Sequence, residues 1–154
     1  MSQTITITKD AETGVRTLTT RDGVLLNVRP ANEADEAALA DLFDQVSDED
    51  RRFRFLSAVE HVSHEQLGPL IHADHRQSES FLAYDAENGA LIASAMLACD
   101  KEMDTAEVAV SIRSDYKGRG VGWALMDVLR EEVQARGIRQ VISIESRANH
   151  AAIE

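Results

Sequence analysis

The sequence predicts an α+β domain: a mixed, mostly antiparallel sheet with helices on both faces. Three observations predict it. Short runs alternate apolar and polar residues and are punctuated by Asp22-Gly23 and Asn88-Gly89, the pattern of hairpins and meanders. Other segments repeat their apolar residues every three or four positions, as amphipathic helices do. One strand, starting at Ala106, passes through a glycine-rich loop into such a helix, and QVISI (140–144) follows as a strand that should return parallel by a right-handed crossover.

The elements follow in order. The stretch at 3–9 (QTITITK) is rich in β-branched residues and can pair with Val15–Thr20 across the Asp10–Gly14 turn. VLLNVR (24–29) is a strand ended by Pro30. Asn32 is a good N-cap with Asp35 three residues on, opening a helix with the buried stripe Leu39, Leu42, Phe43 and Val46. Ser47 and Asp50 form a second cap, before Arg51-Arg52-Phe53-Arg54-Phe55. This arginine cluster has two readings: a holder of an acidic or phosphorylated ligand or gate of a substrate groove, or arginines that are solvated or paired with Glu49 and Asp50 while Phe53 and Phe55 pack. A helix is expected over His64–His75, interrupted near Gly68-Pro69. Ser80–Asp85 and Ala90–Cys99 form a hairpin around Glu87-Asn88-Gly89.

Composition narrows the class. The chain has 154 residues, 44% apolar and 28% charged, the profile of one globular domain. Neither a membrane-length apolar run nor a signal-peptide core is present, and the single Cys99 fits a reducing cytoplasm. A net charge of −11 repels nucleic acid and attracts cations such as an amine, although it also serves solubility alone. The histidines lack the His-Glu-x-x-His pattern and Cys or carboxylate partners at ligand spacing, so no metal is expected.

The most informative stretch is Ala106–Gly137. Val108, Val110 and Ile112 alternate along its strand; Val121, Leu125, Val128, Leu129 and Val133 mark its helix, and Gly137 takes the C-terminal cap position. Between them lies Lys117-Gly118-Arg119-Gly120-Val121-Gly122, whose amides can approach a ligand closely and point from the positive end of the helix dipole. A phosphate group suits such a cradle, with Lys117 and Arg119 as mobile cations. The nucleoside-triphosphate loop needs Gly-Lys-Ser/Thr, but Trp123 and Ala124 follow Gly122. The dinucleotide loop needs a third glycine or alanine where Trp123 stands, at the first turn of a βαβ run rather than after a meander.

The loop resembles motif A of the GNAT superfamily of N-acetyltransferases, Gln/Arg-x-x-Gly-x-Gly/Ala, with Lys117 in the first position. Val28-Arg29-Pro30-Ala31 before an acid-rich helix resembles the family's first strand and helix; Ile142-Ser143-Ile144 and Asn149 resemble its motif B. The resemblance implies the acyl-CoA N-acyltransferase fold over residues 24–154, truncated in motif B, with residues 1–23 as an N-terminal β extension. It implies acetyl-CoA as cosubstrate, with Lys117, Gly118, Arg119, Gly120, Val121, Gly122 and Asn149 binding it, and the Val110, Ser111 and Ile112 backbone pairing with pantetheine and supplying an oxyanion donor. Glu107 matches the family's general base, and its structural alternative is a solvent-facing glutamate on an alternating strand. The family places a general-acid tyrosine in the helix after the position matching Asn149; the residues through Glu154 do not include it, and Tyr84 and Tyr116 are poor substitutes. Arg21–Ser57 further resembles the acetyltransferase domain of bacterial protein lysine acetyltransferases, implying a protein lysine as acceptor, with a small amine as the alternative. A non-catalytic acyl-CoA-binding module and an oligomerisation domain with a vestigial loop are the competing functions. An unpaired last strand would invite a homodimer.

Overall fold

The computed structural model describes residues 7–55 and 61–143. Seven strands form one sheet in chain order: β1 (Ile7–Lys9), β2 (Arg16–Thr19), β3 (Leu25–Pro30), β4 (Ser78–Asp85), β5 (Leu91–Cys99), β6 (Thr105–Ile112) and β7 (Gln140–Ser143). Neighbours are antiparallel through β6, and β7 alone runs parallel to its partner, with Thr105–Val108 against Gln140–Ser143. The crossover expected after the glycine loop is therefore present, as is the β1–β2 pairing across Asp10–Gly14.

Four helices cover the two faces: α1 (Glu36–Asp44), α2 (Asp48–Phe55) and α3 (His64–Ile71) on one, α4 (Val121–Ala135) on the other. Alternation along the strands sorts the core accordingly. Val28, Phe81, Ala95, Leu97, Ala106, Val108 and Ile112 pack on Val121, Leu125, Val128 and Leu129 of α4. Leu82, Tyr84 and Met96 pack on the other side with Leu39, Leu42 and Phe43 of α1 and Leu67, Leu70 and Ile71 of α3.

The helix ends follow the local chemistry. Asn32 and Asp35 make a reciprocal capping box around a 3-10 turn that leads into α1. Asp35 also receives both terminal nitrogens of Arg29, 2.9 and 2.7 Å away, and this contact leads the effects that hold its carboxyl below the usual range. The Ser47 hydroxyl accepts from Asp50 N–H at 3.2 Å at the start of α2. Beyond α4, Ile138 N–H reaches Val133 O and Gly137 N–H reaches Gln134 O, with Gly137 at φ 69°, a paired left-handed cap.

The expectation for α3 needs correction. The helix is uninterrupted with Pro69 inside it, and it stops at Ile71 rather than His75. A Ser63–Gln66 capping box and the burial of Leu67, Leu70 and Ile71 hold its two turns. Past its end His72 faces Glu33, and His75 meets Glu79 at 2.6 Å.

Candidate active site

The site is built on β6, the loop after it and the start of α4. Strand alternation turns Glu107, Ala109 and Ser111 toward the α1–α3 face, and Ala106, Val108, Val110 and Ile112 toward α4. Glu107 is exposed, stands opposite Ala98 of β5 and Ile142 of β7, and its carboxylate has no ion-pair or hydrogen-bond partner among the described residues. Past Val108, no described strand pairs with the outer edge of β6, so Ala109–Ile112 present backbone there. Such an edge accepts an extended, amide-bearing ligand.

After β6 the chain makes a 3-10 turn at Ser114–Tyr116 and enters the glycine loop. Gly118 and Gly120 have φ of +77° and +83°, the left-handed region that glycine adopts without strain. The two differ in surroundings. A Cβ on Gly118 would meet nothing within 4 Å, so its side of the cradle is open; one on Gly120 would meet Arg21 Cγ at 3.0 Å and Thr20 Cβ at 3.4 Å. The β2–β3 turn therefore backs the loop. Ala124 N–H, bonded to Gly120 O at 3.1 Å, closes the first internal turn of α4, so the amides of Val121, Gly122 and Trp123 precede any intrahelical acceptor. An anion cradle results, and its residues fit a pyrophosphate.

The two cations of the loop are less mobile than expected. Lys117 Nζ is 2.6 Å from Oδ2 of the buried Asp50, which ties the loop to α2. Arg119 lies over the Tyr116 ring at 4.9 Å, and Arg113 stacks on the same ring at 5.1 Å. The buried Tyr116 hydroxyl donates to Asp85 Oδ2 at 2.6 Å, the leading reason that carboxyl is held below the usual range. Tyr84 Oη accepts from Arg29 at 2.8 Å. Both tyrosines are thus engaged away from Glu107. Asn149 lies outside the described residues. Asp50, Tyr116 and Asp85 went unnoticed as supports of the loop, because their partners are 67 and 31 positions away.

The arginine cluster also resolves differently from a solvated row. Arg51 is buried and donates to Phe43 O at 2.8 Å and Val46 O at 3.0 Å, with Asp48 on its other terminal nitrogen. Phe55 packs edge-on against Phe43, with ring centroids 5.1 Å apart. Among the described residues no group of His, Cys, Asp and Glu could hold a metal ion, and no helix is long and apolar enough to cross a membrane.

A strand running into a glycine-cradled helix, at the last antiparallel strand of a seven-stranded sheet, defines an acyl-CoA N-acyltransferase fold. Residues 39–154 match the model of the acetyltransferase (GNAT) family, and the chain belongs to that family. It is 33% identical to an acetyltransferase of Pseudomonas aeruginosa over 132 residues, 84% of this chain and 71% of the relative. The GNAT domain of PAT from S. lividans superposes with a TM-score of 0.80 at 26% identity, covering 93% of this chain and 84% of that one. A cAMP-binding acyltransferase from Mycobacterium smegmatis shares the fold at 22% identity and a TM-score of 0.57, this chain spanning 40% of its length.

Proposed function

We propose that this GNAT acetyltransferase moves an acetyl group from acetyl-CoA to an amine, with a protein lysine as the first choice of acceptor and Glu107 as general base. The observation that carries the reading is the placement of Glu107. An exposed carboxylate with no described partner stands on the strand that leads directly into the anion cradle, on the face opposite α4. The relation to PAT of S. lividans supports a protein acceptor. The catalytic domain is taken as residues 24–154, with 1–23 as a β extension.

Acetyl-CoA supplies an activated acyl carbonyl when bound. The amides and side chains of Lys117, Gly118, Arg119, Gly120, Val121 and Gly122 would hold its pyrophosphate, Asn149 would add a contact, and the open backbone of Val110, Ser111 and Ile112 would pair with pantetheine. A lysine ammonium has an ordinary pKa of about 10.4, so it must lose a proton before it can attack. Glu107 takes that proton, directly or through water, as the C–N bond forms and the C–S bond breaks. A backbone N–H of the Val110–Ile112 segment would donate to the carbonyl oxygen as it gains charge.

Acetyl-CoA turnover with a panel of lysine peptides and small amines tests the activity. Glu107→Gln should lower kcat by about 10²- to 10⁴-fold, the usual contribution of a general base, while acetyl-CoA binding is kept. Unchanged rates across pH in that variant would remove Glu107 from the mechanism. Tight CoA binding without transfer to any acceptor would instead favour a binding module.

A further inference from the structure

α2 begins over the glycine loop and ends over the acceptor side of the sheet. Its start is fixed by Asp50 on Lys117, beside the Ser114 hydroxyl donating to Gln45 O at 2.9 Å. Its end carries Arg54 onto β5, where Nη2 lies 3.6 Å from Met96 Sδ and the guanidinium stacks on Phe55 at 5.3 Å. A thioether is a weak acceptor. Neither a carboxylate nor a carbonyl oxygen meets this guanidinium among the described residues, in a chain with 27 acidic side chains against 16 basic ones. Burial pushes its pKa below the ordinary arginine value, with no partner offsetting the effect. The fully buried arginines, unlike the partly buried Arg54, are completed by the chain: Arg16 meets Glu132, and Arg51 meets two carbonyls and Asp48.

A second polar group beside Met96 is in the same condition. Ser80 stands directly opposite Met96 in the β4–β5 pair, so both side chains leave the sheet on one face. Its hydroxyl is buried and makes no hydrogen bond. Met96 in turn stands opposite Ala109 of β6, and Glu107 lies two residues along that strand, about 7 Å away on the same face. Two unsatisfied donors therefore meet at Met96, one strand over and two residues along from the base on the same face.

We infer that Arg54, helped by Ser80, forms an anion-recognising subsite that selects acceptors whose reacting amine is accompanied by a carboxylate. The inference rests on the reading that an amine is acetylated at Glu107. It makes Arg54 a specificity residue: an incoming carboxylate gives the guanidinium the charged partner that the chain withholds.

The test compares matched acceptors on the full chain in the presence of CoA or acetyl-CoA. One pair is an end-blocked Gly-Lys-Glu-Gly peptide and its Gly-Lys-Gln-Gly counterpart; the other is free lysine and lysinamide, which separates a peptide carboxylate from a free amino acid. Calorimetry reads acceptor binding and initial rates read transfer. The wild-type protein should favour the carboxylate member of at least one pair by about tenfold, in Kd and in KM rather than kcat. Arg54→Gln should erase that preference, Arg54→Lys should keep part of it, and Ser80→Ala should weaken it. CoA binding unchanged in every variant shows that the fold is intact. Equal behaviour within both pairs, no measurable binding of the carboxylate members, or a preference that survives Arg54→Gln would overturn the inference. A carboxylate preference in binding without acetyl product would support the subsite and count against acetyl transfer.

Discussion

On the α4 side of the sheet, Arg16 is 4% exposed, and its guanidinium meets Glu131 at 3.2 Å, Glu132 and the Phe81 ring. Glu132 also receives Arg136 at 2.7 Å, and Arg136 extends the chain of charges to Glu79 at 3.6 Å. On the α2 side, Arg54 rests on a sulfur and Ser80 on nothing. An ion network thus closes around Arg16 on one face, whereas on the other Arg54 and Ser80 lack an oxygen partner among the described residues, although Arg51 of the same helix is satisfied and the buried Trp123 indole N–H of α4 is not. The finished network fastens the N-terminal hairpin to α4, and the unfinished pair sits beside the proposed base. A buried donor without a partner costs stability, so its retention is better explained by a ligand than by the fold.

Removing each arginine's charge is the strongest way to break this comparison. Arg16→Met strips the largely buried Glu132 of one of its two guanidinium partners and removes the one bonded to the half-exposed Glu131. Breaking such a pair is expected to cost about 3 kcal/mol, lowering Tm by roughly 6–12 °C for a domain of this size. Arg54→Met leaves no carboxylate behind and replaces a desolvated charge by a packing side chain, so Tm should be unchanged or slightly higher. Thermal unfolding of the two variants reads the difference directly. Equal losses would mean that Arg54 holds the fold as Arg16 does.

The loop sharpens the comparison at smaller energies. Gly120 is packed on the hairpin that the Arg16 network holds, whereas Gly118 faces open space. Both substitutions to alanine force a left-handed residue, at about 1 kcal/mol. Gly120→Ala must also displace Arg21, so it should cost about 1 kcal/mol more and weaken acetyl-CoA binding by shifting the loop. Denaturant midpoints and CoA titrations on the pair would show it. Identical losses at the two sites would mean that the hairpin does not support the cradle.

What was legible in the sequence divides along the same line. The strands, the capped helices and the glycine cradle were readable because their causes are local: alternation in Val108–Ile112, the Asn32–Asp35 spacing, glycines at 118 and 120. Glu107 was singled out only by the family resemblance; the alternating strand by itself is equally that of a solvent-facing glutamate. Long-range charge partnerships carry no such period. Asp50 for Lys117 lies 67 residues away and Glu132 for Arg16 lies 116. The same limit hid the difference between Arg51, which is tied to carbonyls, and Arg54, which is not, three residues apart in one helix. Pro69 misled the reading of α3 because capping and burial around it outweighed its local preference.

pH separates the two sides with the smallest expected effect. Burial raises the Glu132 pKa, but hydrogen bonds and charge from Arg136 and Arg16 lower it more, leaving it below the ordinary glutamate value. A carboxyl with a depressed folded pKa adds stability above its unfolded value, near 4.3, and loses it as pH falls through the folded one. Across the sheet, His64 sits 2.7 Å from Glu36 where α3 meets α1, and that contact raises its pKa. Its contribution has the opposite sign: full below an unfolded value near 6.5, and lost as pH rises through the folded one. Melting curves from pH 3 to 8.5 should show Glu132→Gln flattening the acid limb alone, and Glu36→Gln removing a small loss on the neutral-to-basic side alone. Because His64 is largely exposed and Glu36 about one third exposed, 0.5 M salt should shrink the second effect and leave the more enclosed Arg16–Glu132–Arg136 contribution nearly intact. A salt-insensitive basic limb would mean that the α1–α3 contact is as closed as the network behind α4.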